Sequence, residues 1–260
     1  MKGYLKMKSS IVTFNIRYVY DDIDGINNFI HRAGFIFDKI EKEKPDIIGF
    51  QEVTPNILKF LERMMSDYFI IGHPNNVNYT GSGNFTAFKK DTYRLLGFET
   101  RWLSPTPFVI ASRFENQSIC TRACNMIVLK NLKTGMPFRV FNTHLDHISD
   151  EAKFLGIKSV FEFIDEMNSK LKMPYVLMGD FNSVSGSDTI EYCSSREDVY
   201  DVTSKIPMTC HSYGTSDLKI DYIYMTDEFA SKVTDVCVWD DFANGIYLSD
   251  HYPICAKLEF

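Results

Sequence analysis

Six apolar runs in this chain end in, or are interrupted by, oxygen donors and imidazoles. Thr13-Phe14-Asn15 closes on an amide, Ile48-Gly49-Phe50-Gln51-Glu52 on a carboxylate and Phe141-Asn142-Thr143-His144 on an imidazole. Leu177 to Asn182 carries Asp180 and Asn182 two residues apart, which in extended geometry puts both on one side of the chain. Ile220-Asp221-Tyr222-Ile223 holds an acid inside an apolar run, and Leu248 to Ile254 carries Asp250-His251. Any one of these is ordinarily a turn, cap or hydrogen-bonded structural residue. Together they form a consistent chemical set. Hard carboxylate and amide oxygens suit Mg²⁺, which takes one or two protein carboxylates and keeps several waters. A cation of that kind neutralises phosphate oxygens while a carboxylate draws a proton from attacking water, and a histidine held by a buried acid stabilises the developing charge.

Elements to position these groups are visible in the periodicity. Strand-length runs occur at 11–14, 47–50, 68–71, 85–88, 126–129, 138–142, 175–178, 220–224, 233–238 and 252–258. Between them, 28–44 places Phe29, Ala33, Ile36, Phe37 and Ile40 on one helical stripe closed by Pro45, and 150–172 does the same with Phe154, Ile157, Val160, Phe161 and Ile164. A shorter helix is expected from Thr54-Pro55, a cap followed by a first-turn proline, to about Met65. Strands outnumber helices, and Lys133-Thr134-Gly135-Met136 reads as a hairpin turn. Two packed sheets with helices on their outer faces follow. Without a linker or internal repeat, residues 1–260 are expected to form a single domain.

Composition narrows the partner. The 260 residues are 45% hydrophobic with a formal net charge of -6, which argues against gripping nucleic acid chiefly through many phosphates. The six cysteines show no CxxC pair and read as reduced, mostly core residues. The opening MKGYLKMKSS lacks the apolar stretch of a signal peptide, and no segment approaches the roughly 20 apolar residues that span a bilayer. A cytoplasmic monomer is expected, acting on a phosphorylated small molecule or a nucleic acid.

The ordered strings TFNIRY, DIIGFQEV, FNTHLDH, VLMGDFNS, KIDYIY and SDHYPI resemble the endonuclease/exonuclease/phosphatase superfamily over essentially the whole chain. WLSPTP, NTHLDH and GDFN together resemble an uncharacterised bacterial subgroup. The resemblance implies a four-layer α/β sandwich of two packed, mostly antiparallel sheets flanked by helices. It implies hydrolysis of a phosphodiester or phosphomonoester by in-line attack of water, with one Mg²⁺ at Glu52 and Mn²⁺ able to replace it. By the same resemblance, Asn15 joins the metal and phosphate network and Asp250 is a second acid near the metal. Asp180 orients or deprotonates the water, and Asn182 is a ligand to the same water or to the phosphate. Asp221 positions His251 at the scissile phosphate, and His144 is a further phosphate contact. Nucleases of DNA or RNA, and catalytically weak relatives that bind phospholigands or partners, share the same strings.

Several residues carry two readings. Glu52 is a metal ligand or an acid at the entry of the next helix. Asp221 requires a partner either way, because unpaired burial costs several kcal/mol, and His251 is the natural one. His147 is a site residue or a capping residue, and Arg122 a phosphate clamp or an ordinary strand arginine. Trp102 opens an apparent rim loop where it could stack on substrate or anchor packing. Asn84 offers a polar substrate contact or a turn. His31 reads as helix surface, and His73 and His211 have no comparable context. Arg17 stands where abasic-site nucleases carry an acid, and Gly81-Ser82-Gly83-Asn84 lacks the Glu of many bacterial relatives.

Overall fold

The computed structural model describes residues 8–18 and 23–260; residues 1–7, read above for a leader, lie outside the described residues. In chain order the elements are β1 (Lys8–Asn15), α1 (Phe29–Glu43), β2 (Ile47–Val53), α2 (Pro55–Met64), β3 (Tyr68–Pro74), β4 (Gly83–Lys89), β5 (Tyr93–Trp102), β6 (Ala123–Asn131) and β7 (Pro137–His144). They continue with α3 (Asp150–Lys170), β8 (Tyr175–Asp180), α4 (Asp188–Ser194), β9 (Tyr200–Asp201), β10 (Asp221–Met225), α5 (Asp227–Ala230), β11 (Val233–Val238), a small hairpin of β12 (Phe242–Ala243) and β13 (Ile246–Tyr247), and β14 (Ile254–Glu259). One six-stranded sheet has the order β11-β14-β1-β2-β4-β3 and the other β5-β6-β7-β8-β10-β9. Each sheet is antiparallel except at one central pair, β1 with β2 and β7 with β8. The four-layer α/β sandwich is therefore present.

Three apolar clusters hold the layers together. Ile11, Ile47, Phe88 and Ile254 of the first sheet pack against Val140, Val176, Met178 and Ile223 of the second. On the outer face of the first sheet, Phe14, Ile48 and Phe50 meet Ile36 and Ile40 of α1 and Ile57 and Leu61 of α2. Beyond the second sheet, Phe141, Leu177 and Tyr222 meet Ile157, Val160, Phe161 and Ile164 of α3 and Ile190 of α4.

The helices begin where their caps dictate. Asn28 accepts from the Ile30 amide at α1, Thr54 from Ile57 at α2 and Ser149 from Ala152 at α3. The hairpin turn at 133–136 is also present, with Gly135 at φ +74° and Asn131 Oδ1 accepting from the Lys133 and Thr134 amides. Among the described residues no helix is long and apolar enough to cross a membrane.

Strand β5 is not among the sequence expectations. It is an edge strand with Leu96 and Phe98 exposed, so the alternation that marks a half-buried strand is weak there. For two residues the substrate-contact alternative is not the one the fold uses, and for Trp102 the packing anchor is. Trp102 is the last residue of β5 rather than the start of a rim loop; it is buried, donates from Nε1 to the Asn75 carbonyl at 3.0 Å and packs edge-on against His73. Asn84 lies within β4 and points between the sheets, where its Nδ2 donates to Ala123 O of β6 at 2.8 Å while Asn125 Nδ2 donates back to the Asn84 carbonyl. Neither side chain reaches a substrate surface.

Candidate active site

Strand direction and register gather the polar residues at one end of the sandwich. β1 and β2 run parallel and bring Asn15 and Glu52 to the same edge. β7 and β8 are likewise parallel, with His144 paired opposite Asp180. Antiparallel β10 then places Asp221 opposite Asp180 on its other side. His251 arrives just before β14, tied by a bridge to Cys210. Beneath the site the sheets are pinned by amides: Gln51 Nε2 donates to Asn142 Oδ1 at 2.8 Å, and Asn142 Nδ2 donates to the carbonyls of Phe50 and Phe85.

Asp180 is the centre of the constellation. It is 1% exposed; its Oδ1 accepts from the Asn182 amide at 2.9 Å and its Oδ2 from Asn15 Nδ2 at 3.0 Å. His144 Nε2 lies 3.3 Å and His251 Nε2 3.9 Å from the same Oδ2. Burial, reinforced by the charge of Asp221, pushes the Asp180 carboxyl up to about 7. The close approach of β8 to β7 depends on Gly179, at φ +151°, where a Cβ would stand 1.9 Å from the Thr143 carbonyl. The expected extended geometry of Asp180 and Asn182 does not occur: β8 ends at Asp180 and Asn182 turns back at φ +48°. Its Nδ2 thereby reaches His144 Nε2 at 3.0 Å and the Leu145 carbonyl at 3.2 Å.

The two buried histidines are driven in opposite directions. Burial lowers His251, but the 2.8 Å contact of its Nδ1 with Asp221 Oδ2 outweighs that and raises it well above the ordinary value, keeping the imidazolium at neutral pH. His144 has no such carboxylate dedicated to it. Burial, then the charges of Arg122 and His251, hold it well below the usual range, so it is neutral.

Glu52 sits at φ +64° near the end of β2, half-exposed to the cleft. Its two oxygens accept from Asn15 Nδ2 at 3.2 Å and from the Tyr18 amide at 3.0 Å. It belongs to β2, two residues before the Thr54 cap of α2. The half-exposed Glu52 carboxylate is a hard oxygen ligand that suits Mg²⁺ or Mn²⁺, whereas Asn15 turns its Nδ2 toward Glu52 and Asp180 and its Oδ1 accepts from the Arg17 amide at 3.0 Å, so it orients the two carboxylates. Asp180, Asp221 and His251 also lie close enough together to hold an ion. There, however, the His251 Nδ1 and Asp221 Oδ2 atoms are spent on each other. Asp250, expected as a second acid near the metal, lines the same cleft as Glu52; it lies 3.2 Å from the Arg17 guanidinium and accepts from Ser249 Oγ. It acts as the counter-ion of Arg17.

Glu52, His144, Asp180, Asn182, Asp250 and His251 line a cleft of about 650 Å³. Arg122 and His147 lie on its wall, with Arg122 Nη2 3.2 Å from His147 Nδ1. Arg122 is only 7% exposed, its Nε has no hydrogen-bond partner and it has no carboxylate partner among the described residues. Three contributors have no counterpart among the expected site residues: Arg17, whose side chain joins Asp24 and Asp250; Tyr18, whose amide holds Glu52; and Asn75, which also lines the cleft. Only the inversion from acid to Arg17 was visible in the sequence.

The model of the Endonuclease/Exonuclease/phosphatase family matches residues 12–251. This chain belongs to that family. Family members are phosphoesterases or nucleases and commonly use divalent metals. The endonuclease/exonuclease/phosphatase from Bacteroides vulgatus superposes with a TM-score of 0.89 at 28% identity, covering 98% of this chain and 100% of that one. A mannosyl-6-phosphatase from Bacteroides thetaiotaomicron gives 0.87 at 22% identity, covering 97% and 100%. In sequence, the uncharacterized protein L388 of Acanthamoeba polyphaga mimivirus is 22% identical, covering 96% of this family member and 99% of that protein.

Proposed function

We propose that this chain hydrolyses a phosphate ester with a divalent cation held at Glu52 and a water activated by Asp180. The observation that carries the reading is the convergence on one cleft of a buried carboxylate of raised basicity, an Asp221-held imidazolium and an accessible carboxylate. Asp180, held by Asn15 and the Asn182 amide, is a base matched to neutral pH, where general-base catalysis is most effective. His251, its Nδ1 committed to Asp221, presents Nε2–H toward a non-bridging phosphate oxygen. The Arg122 guanidinium, without a carboxylate partner among the described residues, suits a second phosphate oxygen, with His144 and Asn182 completing the polar floor. A Mg²⁺ or Mn²⁺ ion held by Glu52 would supply neutralisation of the phosphate and of the leaving oxygen, with Asn15 orienting the carboxylate.

The water oxygen bonds to phosphorus as the bond from phosphorus to the ester oxygen breaks. The proton of the water passes to Asp180, and the departing oxygen is protonated from solvent. A descendant that only binds phospholigands has no chemical need for Asp180, Asn182, Asp221 and His251 together.

The test is turnover of p-nitrophenyl phosphate, bis-p-nitrophenyl phosphate, inositol phosphates and single-stranded oligonucleotides with Mg²⁺, Mn²⁺ or EDTA. EDTA-sensitive turnover abolished by Asp180→Asn and by His251→Ala, both folded, is expected. Metal-independent turnover, or substantial activity in either variant, would overturn the mechanism.

A further inference from the structure

We infer that Asn142 is a positioning residue for Glu52: reaching across from the opposite sheet, its carboxamide clamps the β-bulge that turns the Glu52 carboxylate into the cleft. The inference rests on the metal-dependent reading above and adds what aims the carboxylate that would hold the cation.

The pairing of β2 with β4 stays in register up to Phe50 opposite Phe85 and resumes at Val53 opposite Gly83. Two residues of β2, Gln51 and Glu52, therefore face one of β4, Asn84. That is a bulge, which interrupts the ladder locally and re-aims a side chain. Glu52 takes the left-handed conformation at φ +64°, unfavourable for a residue with a Cβ and retained only where the surroundings impose it. Burial shows the result: Gln51 is enclosed between the sheets, whereas its neighbour Glu52 lines the cleft.

Asn142 supplies the restraint. It lies on β7 of the second sheet, fully buried, and commits its carboxamide to the bulge. Nδ2 donates to the carbonyls of Phe50 and Phe85, the last in-register pair, at 3.0 Å each, and Oδ1 accepts from Gln51 Nε2 at 2.8 Å. Gln51 Nε2 also donates to the Gly49 carbonyl and to Thr13 Oγ1 of β1, so the amide that Asn142 holds is tied to the neighbouring strand as well. Apolar packing between the sheets has no preferred direction, whereas hydrogen bonds do, so this clamp fixes which way the bulge faces. It fixes the bulge against the other half of the site too, because His144 stands two residues further along β7, opposite Asp180 of β8. Asn15 Nδ2 and the Tyr18 amide then meet the Glu52 carboxylate at 3.2 and 3.0 Å.

The experiment compares the full chain with its Glu52→Gln, Asn142→Leu and Val140→Ala variants. Mn²⁺ is titrated without substrate and followed by electron paramagnetic resonance, and the NMR shift of the Tyr18 amide proton reports its bond to Glu52 whether or not a metal binds. Val140, buried on the same strand in the core between the sheets, is the control for lost packing. Glu52→Gln should remove most of the Mn²⁺ affinity. Asn142→Leu, which keeps a branched side chain without polar atoms, should weaken Mn²⁺ about tenfold, the lower end of what losing a group that orients a metal ligand does, and should move the Tyr18 amide upfield. Val140→Ala should melt at a lower temperature than wild type and bind Mn²⁺ as wild type does. If Asn142→Leu does not fold, Gln51→Met, which removes the 2.8 Å bond from Gln51 Nε2 to Asn142 along with that amide's other contacts, is read in its place and should show a smaller loss in the same direction. Unchanged Mn²⁺ affinity or an unmoved Tyr18 amide in the variant read, or an equal loss of affinity in Val140→Ala, would overturn the inference. Equal Mn²⁺ affinity in wild type and Glu52→Gln would sink the metal reading instead, and the Tyr18 amide would then decide the positioning role.

Discussion

Replacing Asp221 by asparagine preserves shape and removes one buried charge. In the wild type that carboxylate lies 2.8 Å from His251 Nδ1, with the two residues 1% and 7% exposed, so solvent screens the contact little. A charge-assisted hydrogen bond of this kind contributes about 1.5–3 kcal/mol. At about 1.4 kcal/mol per decade, its loss corresponds to a roughly 10- to 100-fold fall in kcat at neutral pH if the imidazolium acts at the transition state. The sign with pH is also set. Without Asp221, burial dominates and depresses His251, so the deficit should widen as pH rises and shrink toward acid.

The same elevation has a stability consequence. A histidine raised in the folded state contributes stability that is fully present below its unfolded value near 6.5 and is lost as pH rises through the higher folded value. The Asp221→Asn variant should lack that contribution. The assays are kcat on p-nitrophenyl phosphate across mildly acidic to mildly alkaline pH, with NMR titration of the His251 ring and thermal melts at each pH. Activity of Asp221→Asn within about threefold of wild type at every pH, with an unmoved His251 titration, would refute the assignment of His251 as an Asp221-held cation.

Two further outcomes follow from residues outside the reacting cluster. Arg32 is fully buried and donates to the carbonyls of Ile16, Arg17, Asn27 and Leu248, joining the segment after Asn15 to the one before Asp250. Arg32→Met leaves these acceptors stranded and should cost at least about 3 kcal/mol, a melting temperature lower by roughly 6–12 °C for a chain of this size, measurable by calorimetry; a shift under about 2 °C would contradict it. Trp102→Phe keeps a ring but loses the bond to the Asn75 carbonyl, so a loss of about 1–2 kcal/mol in denaturant unfolding is expected, and unchanged stability would show that the bond holds nothing.

The residues most legible in the sequence are those at the ends of apolar runs. Asn15, Glu52, His144, Asp180 and Asp221 stand out because a buried strand supplies a hydrophobic background on which a carboxylate, amide or imidazole is conspicuous. The Asp221–His251 partnership was readable for a different reason, since a buried acid demands a partner. Where that background fails, so does the reading. Strand β5 exposes Leu96 and Phe98 at a sheet edge and lacks clean alternation. Asn84 and Trp102 carry suitable chemistry but point between the sheets and into the loop packing, and direction cannot be read from residue type.

By itself the sequence determined the family and the sandwich of strands and helices, and singled out the candidate site residues, because periodicity and ordered motifs are local properties of the chain. Only the tertiary structure decided what each group is free to do. It paired Asp250 with Arg17, left Arg122 without a carboxylate among the described residues and turned Asn182 back toward His144. Those outcomes depend on contacts between residues far apart in the chain, where burial and partner distance, rather than residue type, set charge and hydrogen-bonding state.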